Sequence, residues 1–235
     1  VVGGLYAKAQ GESEATANAI YDHYKPVSME DSIPRTRAGQ LLSLADKADT
    51  LRGCFGIGLI PSGSKDPFAL RRAAQGIVKI LVEGEWKISL SQLCGGDSKL
   101  REFFLDRVRY YFQDLRGFAY DEVNAVLAAG VEDLQDVLAR LEAIQAVRSS
   151  ADFEALAASF KRIKNILEQA KFQPAGPLQT SLLEEGAERN LGEAFRQVQA
   201  AAKGQSYGKA LGLMASLRPA VDAFFDKVLV NAPDA

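Results

Sequence analysis

The sequence predicts an all-α protein, and three observations support this. Apolar residues recur at three- and four-residue spacings along most of the chain, as on the buried face of a helix. Strand-like alternation bounded by turn signals is hard to find. Helix start and stop signals punctuate the chain instead. Of the 235 residues 47% are hydrophobic and 25% charged, which supplies a core and excludes wholesale disorder.

The spacing predicts a first helix over 12–24, where Ala15, Ala19, Ile20 and His23 share a face. Pro26 ends it, because proline disfavours helix in the residue ahead of it. A second helix covers 35–52, with Leu41, Leu42, Leu44, Ala45, Ala48 and Leu51 as its apolar set. Gly53, Gly56, Gly58 and Gly63 then read as a turn-rich connector. A phosphate loop would need a strand before these glycines and a different spacing. Asp66 as N-cap and Pro67 at the first helical position open the next helix. Its stripe is Phe68, Leu70, Ala73, Ala74, Ile77, Ile80 and Leu81, and it stops near Gly84. A short helix over 89–94 precedes Gly95-Gly96-Asp97, which reads as the domain boundary.

Beyond that boundary helices are expected over 98–115, 120–129, 131–148, 151–170, 181–203, 205–216 and 219–228. Leu134, Val137, Leu138, Leu141, Ile144 and Val147 give the third of these the stripe of a bundle helix. Gln173-Pro174-Ala175-Gly176-Pro177 reads as a loop or hinge.

Composition narrows the function classes. Twenty-eight Lys and Arg against 30 Asp and Glu give a net charge of −2, so any nucleic-acid contact must be local. No DNA partner is expected. Cys54 and Cys94 show no CxxC pairing, which argues against a disulfide scaffold or a cysteine zinc site and fits a reducing cytoplasm. No apolar run reaches the roughly 18 residues of a membrane helix, and no signal-peptide pattern opens the chain. The chain begins at Val1 and reads as a piece of something longer.

Chemistry-bearing residues are few. His23 is the single histidine, so histidine-based metal or nucleophile chemistry would have to run through it, and between two tyrosines it reads as a packed or hydrogen-bonded side chain. Asp46 and Asp49 lie three apart on one helical face; paired carboxylates can hold a metal, but a capped, salt-bridged helix is the plainer reading. Neither catalytic nor metal-ligating residues are assigned. Lys65, Arg71 and Arg72 stand near a helix N-terminus where phosphate or RNA backbone would be favoured. Because Arg71 and Arg72 are adjacent, at most one faces the core.

Two stretches interleave cations with aromatics. One runs from Phe103 to Phe112 through Arg107 and Arg109, with Arg116 just beyond. The other is Phe160-Lys161-Arg162-Ile163-Lys164-Asn165-Ile166-Leu167. Such patterns neutralise phosphates and stack unpaired bases, or else simply turn aromatics inward and charges to water.

Ala45-Asp46-Lys47-Ala48-Asp49-Thr50-Leu51-Arg52-Gly53-Cys54-Phe55 and Pro61-Ser62-Gly63-Ser64-Lys65-Asp66-Pro67-Phe68-Ala69-Leu70-Arg71-Arg72 resemble the signature of the bacterial glycyl-tRNA synthetase beta subunit. Gly3 to Ala7, Phe118 to Leu127, Phe160 to Leu167 and Val221 to Val228 resemble the same family in the same order. The resemblance implies a part of a class II ligase of alpha and beta subunits, commonly α2β2. The alpha chain would activate glycine with ATP and magnesium, while the beta chain mainly binds tRNA, with no cofactor of its own in this stretch.

It further implies the end of an HD-like helical domain over 1–97 and an all-helical anticodon-binding domain, similar to that of arginyl-tRNA synthetase, over 98–235. Asp46 matches the late aspartate of HD-type metal sites, but the His-Asp doublet that completes such a site is missing, so Asp46 is expected to position its helix. The family pattern also continues past Ala235 for another short helix. The expected role is recognition of the anticodon stem-loop of glycine tRNA. Lys161, Arg162, Lys164 and Asn165 are the first candidates, Arg107, Arg109 and Arg116 the second, and Lys65, Arg71 and Arg72 contacts outside the anticodon. The rivals are a helical scaffold that binds only protein and a degenerate HD-type phosphohydrolase.

Overall fold

The computed structural model describes residues 2–173, 176 and 180–230, without the Asp152 side chain. Among these residues every regular element is helical, and one isolated bridge, Ser62 with Lys65, closes a turn. The chain divides into two compact units, Val1–Leu141 and Glu142–Ala235.

Unit 1 opens with α1 (Val2–Ala9) packed on α2 (Glu14–Asp22). The first of these is absent from the sequence reading, since Gly3-Gly4 is a poor helix former. Close packing explains it: a Cβ at Gly4 would lie 2.6 Å from the Tyr21 Cβ and 2.7 Å from the Ala17 carbonyl oxygen. Only glycine lets the two backbones approach so nearly.

Next comes α3 (Arg37–Gly56), capped by the Thr36 hydroxyl on the Gly39 amide at 3.0 Å. It runs through Gly53 and Gly56, which were expected in the connector, because Phe55 continues the buried stripe one turn beyond Leu51. The central helix is α4 (Leu70–Glu83), which packs on α3 and α6 (Ser98–Tyr110). Every residue from Gly76 to Val82 is buried, as befits a helix enclosed on all sides.

The helix over α5 (Leu90–Cys94) carries a capping box between Ser89 and Gln92. Gly95 and Gly96, both at positive φ, turn the chain directly into α6, whose first amides bond to the Asp97 carboxylate. The Gly95-Gly96-Asp97 junction therefore lies inside unit 1 as a tight turn. The expected 98–115 helix is α-helical to Tyr110 and then a π-helical turn, Tyr111–Leu115, that buries Tyr111 and Phe112. Unit 1 continues through α7 (Tyr120–Ala128), and the division between the units falls within α8 (Leu134–Arg148).

Asp22 and Arg35 brace the long link between α2 and α3. The buried Asp22 carboxylate accepts from Arg35 Nε at 2.7 Å, Nη2 at 3.1 Å and the Arg35 amide at 3.2 Å. Burial raises the Asp22 carboxyl, but the hydrogen bonds and charge of Arg35 outweigh this and hold it below its ordinary value. Its contribution is present above the unfolded-state pKa and is lost as pH falls through the folded one. Asp22→Asn should thus cost about 1–3 kcal/mol at neutral pH in urea unfolding and abolish the extra loss of stability below about pH 4.

Unit 2 contains α9 (Ala151–Gln169), a 3-10 turn (Thr180–Leu182), α10 (Ala187–Ala202), α11 (Tyr207–Ala215) and α12 (Arg218–Lys227). Leu156, Leu217 and Val221 form its buried centre, with Leu191, Val198 and Phe225 packed around them. The helix expected over 181–203 begins only at Ala187, after Gly186 at φ 110°. Of the break expected at 173–177, Pro174, Ala175 and Pro177 lie outside the described residues. Among the described residues no helix is long and apolar enough to cross a membrane.

Candidate nucleic-acid interface

The first candidates all stand on α9. Ser150 caps that helix through the Phe153 amide at 3.2 Å, and its residues three and four apart share a face. Lys161, Lys164 and Asn165 thereby occupy one side, with Arg162 next to them, and all four are exposed. Lys164 pairs with Glu168 at 3.7 Å in open solvent, a contact that costs little to exchange for a phosphate. Arg162 lies over the Phe225 ring of α12, its guanidinium carbon 4.1 Å from the centroid. That stack fixes the cation's position while leaving its donors in water. Between Lys161 and Lys171 the chain carries four cations and one acid, Glu168, a net +3.

The adjoining side of α9 lines an open apolar cavity of about 480 Å³ with Leu156, Phe160 and Ile163, facing Leu191, Phe195 and Phe224 from α10 and α12. Phe160 is 54% exposed, so the inward packing expected of this aromatic is incomplete. A cationic face that borders exposed aromatic rings suits single-stranded nucleic acid, whose phosphates and base faces need both.

The second set belongs to unit 1. Phe104, Val108, Tyr111 and Phe112 face inward as the amphipathic reading requires. Arg107 is half-buried with its guanidinium carbon 5.2 Å from the Phe103 centroid, and its Nε is buried without a partner among the described residues. Arg109 pairs with Asp106 at 3.1 Å, while the Tyr111 hydroxyl donates to the Glu83 carboxylate at 3.3 Å and the Arg116 charge opposes the upward push of burial on that phenol. Arg107 is thus partly enclosed by the fold, whereas the Arg109 pair lies in solvent and is as exchangeable as that of Lys164.

At α4 the structure corrects the expected start but keeps the cap. The helix begins at Leu70 rather than Pro67, yet the Asp66 carboxylate accepts from the Leu70 amide at 2.8 Å and the Arg71 amide at 3.0 Å. Ala69 adopts the left-handed conformation to make that reach possible, with φ 54°. Arg71 donates to the Gly63 carbonyl at 2.7 Å and so holds the turn, while Arg72 and Lys65 stay exposed. Neither adjacent arginine is buried in the core, which keeps within the expected limit of one.

Sequence reasoning missed Lys47. Its buried ammonium meets the Ser43 hydroxyl at 2.7 Å and the carbonyls of Lys25, His23 and Tyr24 at 3.1, 3.2 and 3.3 Å. Burial pushes it down to about 8, with Asp46 opposing. Lys47, rather than Asp46, is therefore what positions this helix against the end of α2. Asp46 and Asp49 are exposed and take part in no ion pair among the described residues, contrary to the salt-bridged reading. His23 is hydrogen-bonded as expected, with Nδ1 2.7 Å from the Ile20 carbonyl oxygen and its ring against Tyr24. A lysine between two aspartates in an exposed-looking run carries no sequence signal of burial.

Comparison with known proteins bears on this geometry. A family model described as glycyl-tRNA synthetase beta subunit matches residues 1–128. Across its whole length the chain is 48% identical to a glycine–tRNA ligase beta subunit of Acidobacterium capsulatum, covering 36% of that protein. The corresponding proteins of Leptothrix cholodnii and Desulfatibacillum aliphaticivorans are 42% and 38% identical, again over the whole chain and over 35% and 36% of theirs. The chain thus spans about a third of the length of these curated relatives.

Proposed function

This chain belongs to the glycyl-tRNA synthetase beta subunit family, and from that premise we propose that it supplies tRNA recognition to a glycine–tRNA ligase. Unit 2 binds the anticodon stem-loop of glycine tRNA. The observation that carries this reading is the exposed cationic face of α9 beside the aromatic-lined cavity. Of the 98–235 region expected to hold the anticodon, the proposal rests on the helices from α9 onward.

In this mechanism Lys161, Arg162 and Lys164 neutralise backbone phosphates and set the register of the stem-loop. Arg162 and Asn165 are placed for base-edge contact, because A-form grooves reveal little sequence and unstacked loop bases reveal much. Lys65 and Arg72 serve tRNA outside the anticodon. The alpha subunit, assembled with this one as α2β2 in the cytoplasm, activates glycine with ATP and magnesium. The acidic remainder of the surface discourages indiscriminate RNA binding.

The test is equilibrium binding of the chain to a glycine tRNA transcript and to the same transcript with its anticodon replaced, at several salt concentrations. Loss of affinity on replacement is the expected result. Equal, salt-sensitive binding to both would reduce the interaction to backbone contact, and absence of binding would overturn the reading in favour of a protein-binding scaffold.

A further inference from the structure

Unit 1 holds a cleft of mixed polar and apolar lining, about 310 Å³, between α3, the start of α4 and the loop after α2. That volume is at the lower end for a small-molecule site. Asp46 and Thr50, four apart on α3, supply one wall, and Arg72, in the first turn of α4, supplies another. Tyr24 and Phe68 complete the rim, 63% and 52% exposed. Neither Asp46 nor Arg72 makes a hydrogen bond or ion pair among the described residues, although they share the cleft and carry opposite charge. They stand too far apart to pair with each other, so the space between them is open.

Two exposed aromatic rings, a free guanidinium, a free carboxylate and a hydroxyl around one cleft match the parts of one kind of ligand. We infer that this cleft binds a 5′-phosphorylated ribonucleotide, free or as an unpaired nucleotide of an RNA. Arg72 takes the phosphate through charge-assisted hydrogen bonds. Asp46 and Thr50 accept and donate to the ribose hydroxyls, a pairing that acceptor-only carboxylates make readily. The base stacks on Tyr24 or Phe68.

The frame is rigid, since Lys47 ties the carbonyls of residues 23–25 to α3 and Asp66 ties the turn before Arg72 to α4. In its RNA form this inference rests on the tRNA-binding reading above. As a free-nucleotide site it stands by itself.

The experiment is calorimetric titration of the chain with AMP, with its 2′,3′-dideoxy analogue and with a short 5′-phosphorylated single-stranded RNA. Binding of a tRNA anticodon stem-loop is measured on the same samples. AMP or the short RNA should bind, Arg72→Gln should weaken that binding about tenfold, and Asp46→Asn should remove the preference over the dideoxy analogue. Both positions are exposed, so the fold should survive either change. Binding of AMP alone identifies a free nucleotide as the ligand, and binding of the RNA alone identifies an unpaired end. No binding of either, or equal binding by both variants, would overturn the inference, while persistent stem-loop binding in that case would leave the tRNA reading intact. Loss of stem-loop binding with AMP binding retained would do the reverse.

Discussion

Lys47→Met is expected to lower the unfolding free energy of unit 1 by about 2–3 kcal/mol at neutral pH. Methionine fills nearly the same space, so the loss measures the hydrogen bonds rather than a cavity. Three carbonyls from residues 23–25 and the Ser43 hydroxyl lose their common donor. Orphaned buried acceptors cost more than the desolvation of the ammonium returns. The site is also the C-terminal end of α2, where a cation is favoured by the helix dipole.

The pH dependence has a definite sign. The folded-state ammonium titrates at about 8, against an ordinary value of 10.5. Between those values the unfolded chain binds a proton that the folded chain has released, so wild-type stability rises with pH across that window. The methionine variant lacks the titrating group, and the gap between the two proteins should widen from pH 8 to 10.5. Trp86, the single tryptophan, lies in unit 1 with its Nε1 donating to Gln40 at 2.9 Å, and its fluorescence reports the transition. Equal urea midpoints for the two proteins would show that the carbonyls find other donors.

Alanine at both Lys161 and Arg162 should weaken tRNA binding about tenfold to a hundredfold at low salt. Each phosphate contact removed lowers the slope of log affinity against log salt by about 0.7–0.9, so the pair should flatten it by about 1.4–1.8. Lys161 has no intramolecular partner among the described residues, so its loss is a loss of charge alone. Arg162 also covers Phe225, and its removal uncovers part of the α9–α12 contact. Arg162→Lys separates the two effects, because it keeps the charge and gives up the guanidinium's cover of the ring. Circular dichroism of the double variant should show unchanged helix content. Unchanged affinity together with an unchanged salt slope would remove α9 from the interface.

Long, strongly periodic helices were legible from residues alone. Of the stripe predicted for α4, Leu70, Ala74, Ile77, Ile80 and Leu81 are fully buried, whereas Ala73 is half-buried and Phe68 lies ahead of the helix, 52% exposed. Caps were legible as chemistry but not as position. Asp66 caps α4 from outside the helix, because the turn at Ala69 carries its carboxylate to the first amides. The α9 candidates were legible because cations crowd a short amphipathic run, and exposure confirms that they face water. The second cationic stretch looked similar, yet the fold half-buries Arg107 over Phe103 and leaves Arg109 in a surface pair with Asp106.

The all-α class, the order of most helices and the α9 cationic face were determined by the sequence itself. These depend on spacing and composition within a few turns, and local physics suffices for them. The helix over Val2–Ala9, the burial of Lys47 and the cleft between Asp46 and Arg72 were decided only by tertiary structure. Each depends on what a distant segment brings close: Tyr21 to Gly4, the end of α2 to Lys47, α4 to α3. A glycine pair reads as a break until another backbone needs its missing Cβ, and a lysine reads as surface until carbonyls from elsewhere surround it. Contacts between residues remote in sequence decide such cases, because they can outweigh a local preference worth only about 1 kcal/mol.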